Sequence, residues 1–417
     1  MARAKKHFPF GINQTIYQGS KSIQAIPEIL KRENWERVML LVDPGLNRLG
    51  LIKPFENILT KNGKKYFIFD HVRENPEAIT IDTEAVPAYN DFKADVIIAV
   101  GGGSTLDTAK GVAIVGNSGK KCMDFLGIGQ HQQLEHRTYP IIAVSTTAGT
   151  GSDVCRNAVI CDYDGFKLVP SHDSILPQYS IIDPDLLSSL PHSVAAATSF
   201  DAFTHALESF TNMNANDFTE LFSLRAMELV GDSIREFVAN PAVDEYAQKM
   251  SLACMYAGFS LGLASIGQAH VLTHPMGEEP LNMTHGDACA LSLPAVIEWN
   301  ALGCSEKYRI AFNALSKSNI SKSDFKAKML IDWVIKLIRD LKIAEGKTME
   351  DFGYTGEEVK KEMLKHPIFN NKDRMSNEET SYPRVTRMKD FAYLIERTNY
   401  YSQVIAGTIP YKFEKNS

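Results

Sequence analysis

The stretch "ADVIIAVGGGSTLDTAKGVAIVG", residues 94–116, combines an apolar run, three glycines and a helical periodicity. It starts with an unbroken apolar run, which predicts a strand buried on both faces. Three glycines, Gly101–Gly103, then precede a helical periodicity, so the backbone can approach a ligand closely where the helix begins. Free N–H groups at a helix N-terminus favour a phosphate. The stretch predicts a strand, a phosphate-binding loop and a helix; a tight turn without a ligand is the alternative.

Further apolar runs on both sides of this stretch alternate with helical segments as far as Pro191. The runs are residues 37–43, 64–70, 139–147 and 179–183, and the helical segments include 22–34. This alternation predicts an α/β domain with a parallel sheet. Beyond Pro191 the β-branched runs stop, and long helical periodicities follow at 219–238 and 323–342. A chain of 417 residues is long for one core. We predict an α/β domain over 1–191 and an all-helical domain over 192–417, with a cleft between them.

A second polar loop, "STTAGTGSD" (residues 145–153), also follows a predicted strand. Two such loops at the carboxyl ends of strands favour a nucleotide, because ligands of open α/β sheets bind in that crevice. Asp43 ends another predicted strand and would face the ribose hydroxyls of such a nucleotide. A turn residue that precedes Pro44 and Gly45 is the alternative interpretation of Asp43.

Charge and hydropathy exclude several classes of protein. The formal net charge is −6 and the chain has no long basic run, so we expect no nucleic-acid partner. Residues 1–14 lack the apolar segment of a secretory signal. The apolar stretch Leu252–Gly267 is shorter than the about 18–20 residues of a membrane span, which predicts a buried core helix and no membrane association. The six cysteines have no C-x-x-C spacing, so we expect reduced, packed thiols in a cytoplasmic protein.

The segment "SFDAFTHALESF" (residues 199–210) raises the question of a metal site. Asp201 and His205 stand one helical turn apart, on roughly the opposite face from an apolar stripe. From this segment alone, a solvated polar pair and half of a metal site are equally good interpretations.

A histidine cluster later in the chain shifts that balance. Residues 267–291 contain three of the 11 histidines: His270 and His274 on one helix face, and His285 in a predicted loop. A carboxylate with several imidazoles suits a divalent first-row metal such as iron or zinc, with a position open to substrate. We therefore favour a metal site, with structural histidines as the alternative.

The motifs GGGSTLDTAKG, STTAGTGSD, TSFDAFTHALESF and AHVLTHPMG followed by THG, in this order, resemble the iron-dependent (group III) alcohol dehydrogenases. The resemblance covers most of the chain. It implies the two-domain architecture of the dehydroquinate-synthase type: an N-terminal dinucleotide-binding α/β domain with a parallel sheet, and an all-α C-terminal domain that binds a catalytic metal. It also implies NAD(H)-linked interconversion of a small aldehyde and its primary alcohol by hydride transfer. A homodimer or higher homo-oligomer is expected.

The resemblance implies roles for individual residues. The expected ligands of Fe²⁺, with Zn²⁺ or Mn²⁺ as alternatives, are Asp201, His205, His270 and His285. The expected cofactor-binding residues are Asp43, Gly102, Gly103, Ser104, Thr146, Thr147, Thr150, Lys167 and Leu186. The expected substrate-pocket residues are Asn157 and Leu261. His274 matches a histidine near the metal and is our candidate for proton transfer, because an imidazole titrates near working pH.

The chain departs from the family pattern at some positions. Cys155 replaces a common threonine, Leu261 replaces a frequent aromatic residue, and residues 365–387 differ from the usual region. These departures leave the substrate open. We expect preference for NAD(H) over NADP(H), because the Asp43 carboxylate would repel the 2′-phosphate of NADP. Arg48, the nearest basic residue in sequence, is expected on the far side of the turn and so supplies no compensating charge.

Two other functions remain as alternatives. A metal- and NAD-dependent lyase or synthase of the dehydroquinate-synthase type would need several basic residues for a polyanionic substrate, and the motifs show few. A non-catalytic binding protein is expected to lack a ligand residue, and none is missing.

Overall fold

The computed structural model describes Gly11 and residues 13–127, 134–370 and 381–412. The expectation that the chain starts without a secretory signal rests largely on residues outside this part. The same holds for residues 371–380 within the divergent segment 365–387.

The first half of the chain forms a six-stranded parallel sheet. Its strands are β1 (Thr15–Gln18), β2 (Arg37–Val42), β3 (Lys65–Phe69), β4 (Val96–Gly101), β5 (Ile141–Ser145) and β8 (Tyr179–Ile182). Their spatial order is β1-β8-β5-β4-β2-β3, and every neighbouring pair is parallel. A small antiparallel ribbon pairs β6 (Ile160–Cys161) with β7 (Lys167–Leu168). The predicted parallel sheet is confirmed.

Helices cover both faces of the sheet and then form the second half of the chain. In the first half they are α1 (Ile26–Arg32), α2 (Pro44–Arg48), α3 (Lys53–Lys61), α4 (Ala78–Thr80), α5 (Val86–Phe92) and α6 (Gly103–Val115). In the second half they are α7 (His192–Thr211), α8 (Asp217–Ala239), α9 (Asp244–Ala264), α10 (Gln268–Met276), α11 (His285–Ser316), α12 (Ala327–Asp340), α13 (Glu357–Met363), α14 (Pro367–Asn370) and α15 (Met388–Ala406). Short helical turns include Pro184–Leu187.

Burial explains why the sheet forms where the apolar runs predict it. Every residue of β4 and β5 is buried. Apolar side chains from alternate positions of the strands pack into two clusters, one on each face of the sheet. Helices α7 to α12 and α15 bury a third, larger cluster of their own. The strands thus give way to helices between Ile182 and His192, and the exact division at residues 191 and 192 stays a prediction.

The strand order reverses between β2 and β4, and this reversal positions the candidate nucleotide site. The chain passes from β2 outward to β3 and then returns past β2 to β4. Asp43 follows β2, and Gly102 follows β4, so both lie at the carboxyl edge of neighbouring strands. Ligands of doubly wound sheets bind in the crevice at such a switch point.

In the described part of the chain, no single helix is long and apolar enough to cross a membrane. Helices α9 and α10 reach that length and apolar composition only together, and they are bent by 96° relative to each other. Residues such as Ala253, Cys254 and Ala257 bury α9 in the helical core, as predicted for this stretch.

Candidate active site

The Asp–His pair of α7 lies inside the protein. Asp201 is 3% exposed and His205 is 5% exposed. His205 Nε2 is 3.6 Å from Asp201 Oδ1. This burial excludes the solvated polar pair, because charged and polar groups leave water at a cost unless they gain partners.

Two further imidazoles point to the same carboxylate oxygen. His270 Nε2, on α10, is 3.2 Å from Asp201 Oδ1, and His285 Nε2, on α11, is 3.3 Å from it. The rings of His205 and His270 are stacked, with centroids 4.4 Å apart and an interplanar angle of 13°. Three imidazoles from three helices therefore converge on one carboxylate, and the structure brings together all four predicted metal ligands.

His285 does not lie in a loop, which corrects one prediction. It is the first residue of α11, and Thr284 is the N-cap residue. The backbone N–H of Asp287 donates to Thr284 Oγ1 over 3.3 Å. The sequence Thr-His-Gly-Asp is close to a capping box, in which Thr is followed three residues later by an acceptor side chain. The cap fixes the helix start, and His285, the first helical residue, has its Nε2 3.3 Å from Asp201 Oδ1.

A thiol that sequence analysis treated as a packed cysteine belongs to the same cluster. Among the described residues, one group of ligand atoms lies within 4.8 Å of one another, from Asp201, His270, His285 and Cys289. Cys289 Sγ is 3.8 Å from His285 Nε2 and 3.9 Å from Asp201 Oδ1. His205 contacts Asp201 but stands beside this group of four.

The electrostatics of the cluster suit a cation. Burial raises the pKa of Asp201, but His205 and His285 lower it more, so the net pKa is well below the usual range. Burial lowers the pKa of His205 to about 4 against the opposing effect of Asp201, so His205 is neutral near pH 7. Its buried Nδ1 has no hydrogen-bond partner in the described part of the chain. Burial lowers the pKa of His270 and His285, but Cys289 and Asp201 outweigh it, so the pKa of His285 is raised to about 10 and that of His270 well above its usual value. A bound metal would displace the protons of these two rings. A carboxylate with several imidazoles is a donor set that fits iron or zinc.

Glu208 orients one of these imidazoles, and sequence analysis missed it. His270 Nδ1 is 2.6 Å from Glu208 Oε2, while the backbone N–H groups of Gly267 and Ala269 donate to the same carboxylate over 2.9 and 2.7 Å. This arrangement directs His270 Nε2 at Asp201. A carboxylate that holds the outer nitrogen of a ligating histidine is a recurrent feature of metal sites. Glu208 lies three residues after His205, so helical spacing gave a signal for it.

We predict that Glu208→Gln weakens metal binding by about 10–100-fold, the range for a lost partner of a ligating histidine. One end of the glutamine amide is an NH₂ group, which cannot accept a hydrogen bond. The amide therefore cannot replace both carboxylate oxygens that now contact His270 and the backbone N–H groups of Gly267 and Ala269. Competition between the metal-free protein and a chelator for Zn²⁺ measures the affinity. Glu220→Gln is the control, since Glu220 lies on another helix and pairs with Lys307. Equal affinity of Glu208→Gln and wild type would contradict this role.

His274 lies next to the cluster rather than in it. It is 9% exposed, and its Nδ1 is buried without a hydrogen-bond partner among the described residues. Burial, Lys167 and His366 lower its pKa well below the usual range, in this order of effect. The imidazole is therefore neutral near pH 7, which corrects the expectation that it titrates near working pH. A neutral imidazole can still relay a proton by accepting it at one nitrogen and releasing one from the other.

Lys167 and His366 lie near His274 and act on its charge state. Lys167 Nζ lies 3.5 Å from the position that a Cβ on Gly277 would take, at the C-terminal end of α10. The His366 ring is 5.9 Å from His274, and its Nε2 is 2.9 Å from Glu278 Oε1. His366 belongs to the divergent segment, and the long sequence separation gave no sign that it would reach this place.

For His274→Ala we expect the protein to keep its metal and to lose about 10²-fold in kcat, the lower part of the range for a lost acid–base group. The pH profile is the diagnostic readout. The pKa of His274 lies well below its usual value of 6.5. Protonation of His274 should therefore reduce wild-type activity only well below pH 6.5. The variant should lack that acid limb. Loss of metal equal to that of His270→Ala would instead make His274 a ligand.

The two polar loops meet at the carboxyl edge of the sheet. β4 and β5 are paired with Gly101 opposite Ser145, and Thr146 N–H donates to the Gly101 carbonyl over 3.0 Å. A Cβ on Gly102 would lie 3.3 Å from Thr147 Cγ2, and a Cβ on Gly103 would lie 2.6 Å from Thr150 Cγ2. The glycines are therefore required for the close contact between the loops as well as for backbone access at the start of α6.

The hydroxyl groups of the other predicted cofactor residues differ in whether they already have hydrogen-bond partners. Thr147 Oγ1 is buried and lacks a hydrogen-bond partner in the described part of the chain, which fits a hydroxyl that binds a ligand. Ser104 Oγ donates to the Glu74 carbonyl instead. Thr150 Oγ1 accepts from Ser152 N–H over 3.3 Å. Leu186 is half-buried in the turn after β8, against the apolar cluster on one face of the sheet.

Asp43 has a structural role at the end of β2. It is the N-cap of α2, and its Oδ1 accepts from the N–H groups of Gly45 and Leu46 over 2.7 and 3.0 Å. Both Asp43 Oδ1 and Arg48 Nη2 lie within 4 Å of the position a Cβ on Gly45 would take. Arg48 is therefore on the same side of the turn as Asp43, which corrects the expectation that it lies on the far side.

A buried ion pair ties α6 to the second loop. Lys110 is fully buried, and its Nζ donates to Ser152 Oγ over 2.7 Å and to the Asn157 carbonyl over 2.5 Å. Asp107 accepts from Ser152 Oγ over 2.5 Å and from Val159 N–H over 2.8 Å. The Asp and Lys of the "TLDTAK" motif thus fix the loop geometry, a role that sequence analysis did not assign.

The two predicted substrate-pocket residues lie in different elements. Asn157 Oδ1 accepts from Ser171 Oγ over 2.6 Å. Leu261 is half-buried in the last turn of α9. The next residue, Gly262, packs against Cys155, since a Cβ added to Gly262 would lie 3.2 Å from Cys155 Cβ. The roles of Asn157 and Leu261 toward substrate stay predictions.

Close contacts bring the second loop to the metal cluster. A Cβ on Gly149 would lie 2.6 Å from Thr198 Cβ, and a Cβ on Gly286 would lie 2.6 Å from Ala197 Cβ. The same turn of α7 therefore contacts both the loop after β5 and the start of α11. Asp201 follows one turn later on α7, so the candidate nucleotide loops and the donor cluster are neighbours.

Comparison with known proteins agrees with this arrangement. The family model described as iron-containing alcohol dehydrogenase matches residues 13–184, and the C-terminal model of the Fe-containing alcohol dehydrogenase family matches residues 195–381. Choline dehydrogenase of Bacillus subtilis (strain 168) is 30% identical over 380 residues, which cover 90% of this chain and 93% of that protein. Lactaldehyde reductase of Escherichia coli (strain K12) is 31% identical over 301 residues, 72% of this chain and 77% of that protein.

A solved structure has the same architecture. The alcohol dehydrogenase from Oenococcus oeni superposes with a TM-score of 0.85 at 29% identity, over 94% of this chain and 100% of that chain. The predicted fold class is therefore confirmed.

The parallel sheet, the glycine loop and the donor cluster fit a two-domain, metal-dependent dehydrogenase. The chain belongs to the iron-containing alcohol dehydrogenase family. It is an enzyme that interconverts alcohols and aldehydes with NAD and iron. This assignment favours the dehydrogenase over a lyase or synthase and over a non-catalytic binding protein.

Proposed function

We propose that the enzyme interconverts a small aldehyde and its primary alcohol by hydride transfer with NAD(H), at a metal held by Asp201, His205, His270 and His285. One observation carries the proposal: the Nε2 atoms of three imidazoles lie within 3.6 Å of Asp201 Oδ1. Fe²⁺ is the proposed native metal, with Zn²⁺ and Mn²⁺ as alternatives. The printed names of relatives, such as lactaldehyde reductase and 1,3-propanediol dehydrogenase of Klebsiella pneumoniae, support a short substrate.

The chain's own residues would perform the binding and positioning. When bound, the metal supplies a Lewis acid for the substrate oxygen and the dinucleotide supplies the hydride carrier. Gly102, Gly103 and Thr147 would hold the diphosphate at the start of α6. Lys167, beside the end of α10, would lie near the nicotinamide end of the dinucleotide. His274 would relay the proton between the substrate oxygen and solvent as a neutral imidazole.

The closing experiment for this function uses NADH and a panel of short aldehydes. Purified protein, with and without added iron, is mixed with each aldehyde, and NADH consumption is followed by absorbance at the nicotinamide band. Iron-dependent NADH consumption with at least one short aldehyde is expected. Absence of consumption across the panel in iron-loaded protein would contradict the proposal.

The proposal includes a homodimer or higher homo-oligomer in the cytoplasm. The family resemblance supports the assembly, and six free, buried cysteines support a reducing compartment. Sedimentation equilibrium of the purified protein measures the assembly state.

A further inference from the structure

A small cavity lies where the second polar loop (residues 145–153) meets the helical half. Its volume is about 10 Å³, which is room for one particle of the size of a water molecule. Five oxygen-bearing side chains line it, those of Ser145, Thr147, Asp153, Asp183 and Ser251. The loop and α9 are in close contact here, since a Cβ on Gly151 would lie 3.2 Å from the carbonyl oxygen of Cys254, which also lines the cavity.

One carboxylate oxygen at this cavity has no partner. Asp153 is 2% exposed, and its Oδ2 accepts from Ser180 Oγ over 3.1 Å. Its Oδ1 is buried, and among residues 13–127, 134–370 and 381–412 it has no hydrogen-bond partner and Asp153 forms no ion pair. The buried cation Lys110 pairs with Asp107 instead. Burial of an unpaired carboxylate is unfavourable, and it raises the pKa of Asp153.

The serine hydroxyls at the cavity direct their protons elsewhere. Ser145 Oγ donates to the Thr147 carbonyl over 2.9 Å, and Ser251 Oγ donates to the Ala247 carbonyl over 2.7 Å. Each of these oxygens therefore has only lone pairs left to offer. Asp183 is already occupied, because its two oxygens accept from three backbone N–H groups. A carboxylate oxygen and two hydroxyl oxygens that can only accept are a set of ligands that suits a hard cation.

We propose that this cavity binds one potassium ion, held by Asp153 Oδ1 and by the hydroxyl oxygens of Ser145 and Ser251. One positive charge balances the one carboxylate that lacks a partner, whereas a divalent ion would bring a buried excess of charge. The radius of K⁺ is close to the about 1.4 Å of a water molecule, so the ion fits the cavity. A water molecule fits it equally well but would leave the charge of Asp153 unbalanced.

The ion would fasten the second polar loop to α9 and so join the two halves of the chain. An effect on dinucleotide binding follows, and this consequence rests on the proposed function. Thr147, which lines the cavity, belongs to the residues proposed to hold the diphosphate. A loop that is already ordered loses less conformational entropy when the dinucleotide binds. We therefore expect tighter binding of NADH in K⁺ than in a large organic cation at the same ionic strength, measured by fluorescence titration.

The test compares thermal unfolding of the metal-loaded protein in the chloride salts of K⁺ and of N-methyl-D-glucamine, a cation too large for the cavity. A K⁺ concentration ten times the dissociation constant should raise Tm by about 1–2 °C, given the unfolding entropy of 417 residues. Asp153→Asn keeps the size of the side chain and removes its charge, so it should abolish the rise. Asp232→Asn is the control and should keep it, because Asp232 pairs with Lys317 on the helical half.

Because Asp153→Asn could fail to fold, long-wavelength anomalous diffraction from wild-type crystals grown in K⁺ is the second measurement. A potassium peak beside Asp153 is expected. Equal Tm in the two salts, a rise that persists in Asp153→Asn, or a cavity without the anomalous peak would overturn the potassium site and leave the proposed function standing. The expected rise in Tm without any binding of NADH would instead overturn the proposed function and leave the potassium site standing.

Discussion

Replacing His270 by alanine is expected to remove bound metal and activity together while the fold persists. The same holds for Asp201→Ala, because Asp201 Oδ1 is the atom on which the three imidazoles converge. The loss of affinity should exceed the about 10–100-fold range for a partner that only orients a ligand. The large apolar core of the helical half supports persistence of the fold. Metal analysis, turnover with NADH and circular dichroism together check this result.

His71→Ala is the control for loss of a histidine, since the His71 side chain is 65% exposed and pairs with Glu84 on the α/β half. It should keep full metal content and activity. Full metal content and turnover in His270→Ala would show that the four-ligand assignment is wrong.

The second large effect is expected at Asp43, in the choice between NAD and NADP. In NADP the ribose 2′ position carries a phosphate of about −1.5 to −2 charge, which Asp43 would repel. Two unit charges about 4 Å apart repel by about 1 kcal/mol in water and about 4 kcal/mol near a protein surface. Asp43→Gly removes this repulsion and leaves Arg48 on the same side of the turn. We expect the ratio of kcat/KM for NADPH to that for NADH to rise about tenfold or more.

Asp43→Asn separates charge from the structural role of this residue. Asparagine is as good an N-cap as aspartate, so it keeps the start of α2 and removes only the charge. A rise in the ratio for both variants would support repulsion as the cause. A wild type that prefers NADPH, or ratios that do not change in either variant, would contradict this interpretation of Asp43.

The sheet could be predicted because its strands are buried on both faces. Runs such as "VIIAV" in β4 contain only apolar residues, without alternating polar positions, as expected for a strand that is buried on both faces. β1 escaped prediction because it is a short edge strand in which no residue is fully buried. Its extended conformation depends on pairing with β8. Because β8 lies far along the chain, no local sequence pattern indicates this pairing.

The candidate site could be predicted only in part for a related reason. Asp201 and His205 show themselves by helical spacing, and His270 and His285 by their density in one segment. Cys289 and His366 join the site through packing of helices far apart in sequence, so nothing local distinguishes them from core residues. The pKa of His274 depends on burial and on the proximity of Lys167, and no local sequence pattern indicates either of them.

Hydride transfer between the dinucleotide and an aldehyde carbon, at a site that depends on the metal cluster, is the reaction to be tested. The most direct measurement uses NADH that carries deuterium at the transferred position of the nicotinamide. Iron-loaded protein, this NADH and an accepted aldehyde are incubated, and the alcohol product is analysed by mass spectrometry. One deuterium on the carbinol carbon is expected, and no product is expected with metal-free protein or with His270→Ala. An alcohol without deuterium, or equal product formation after metal removal, would contradict hydride transfer at this site.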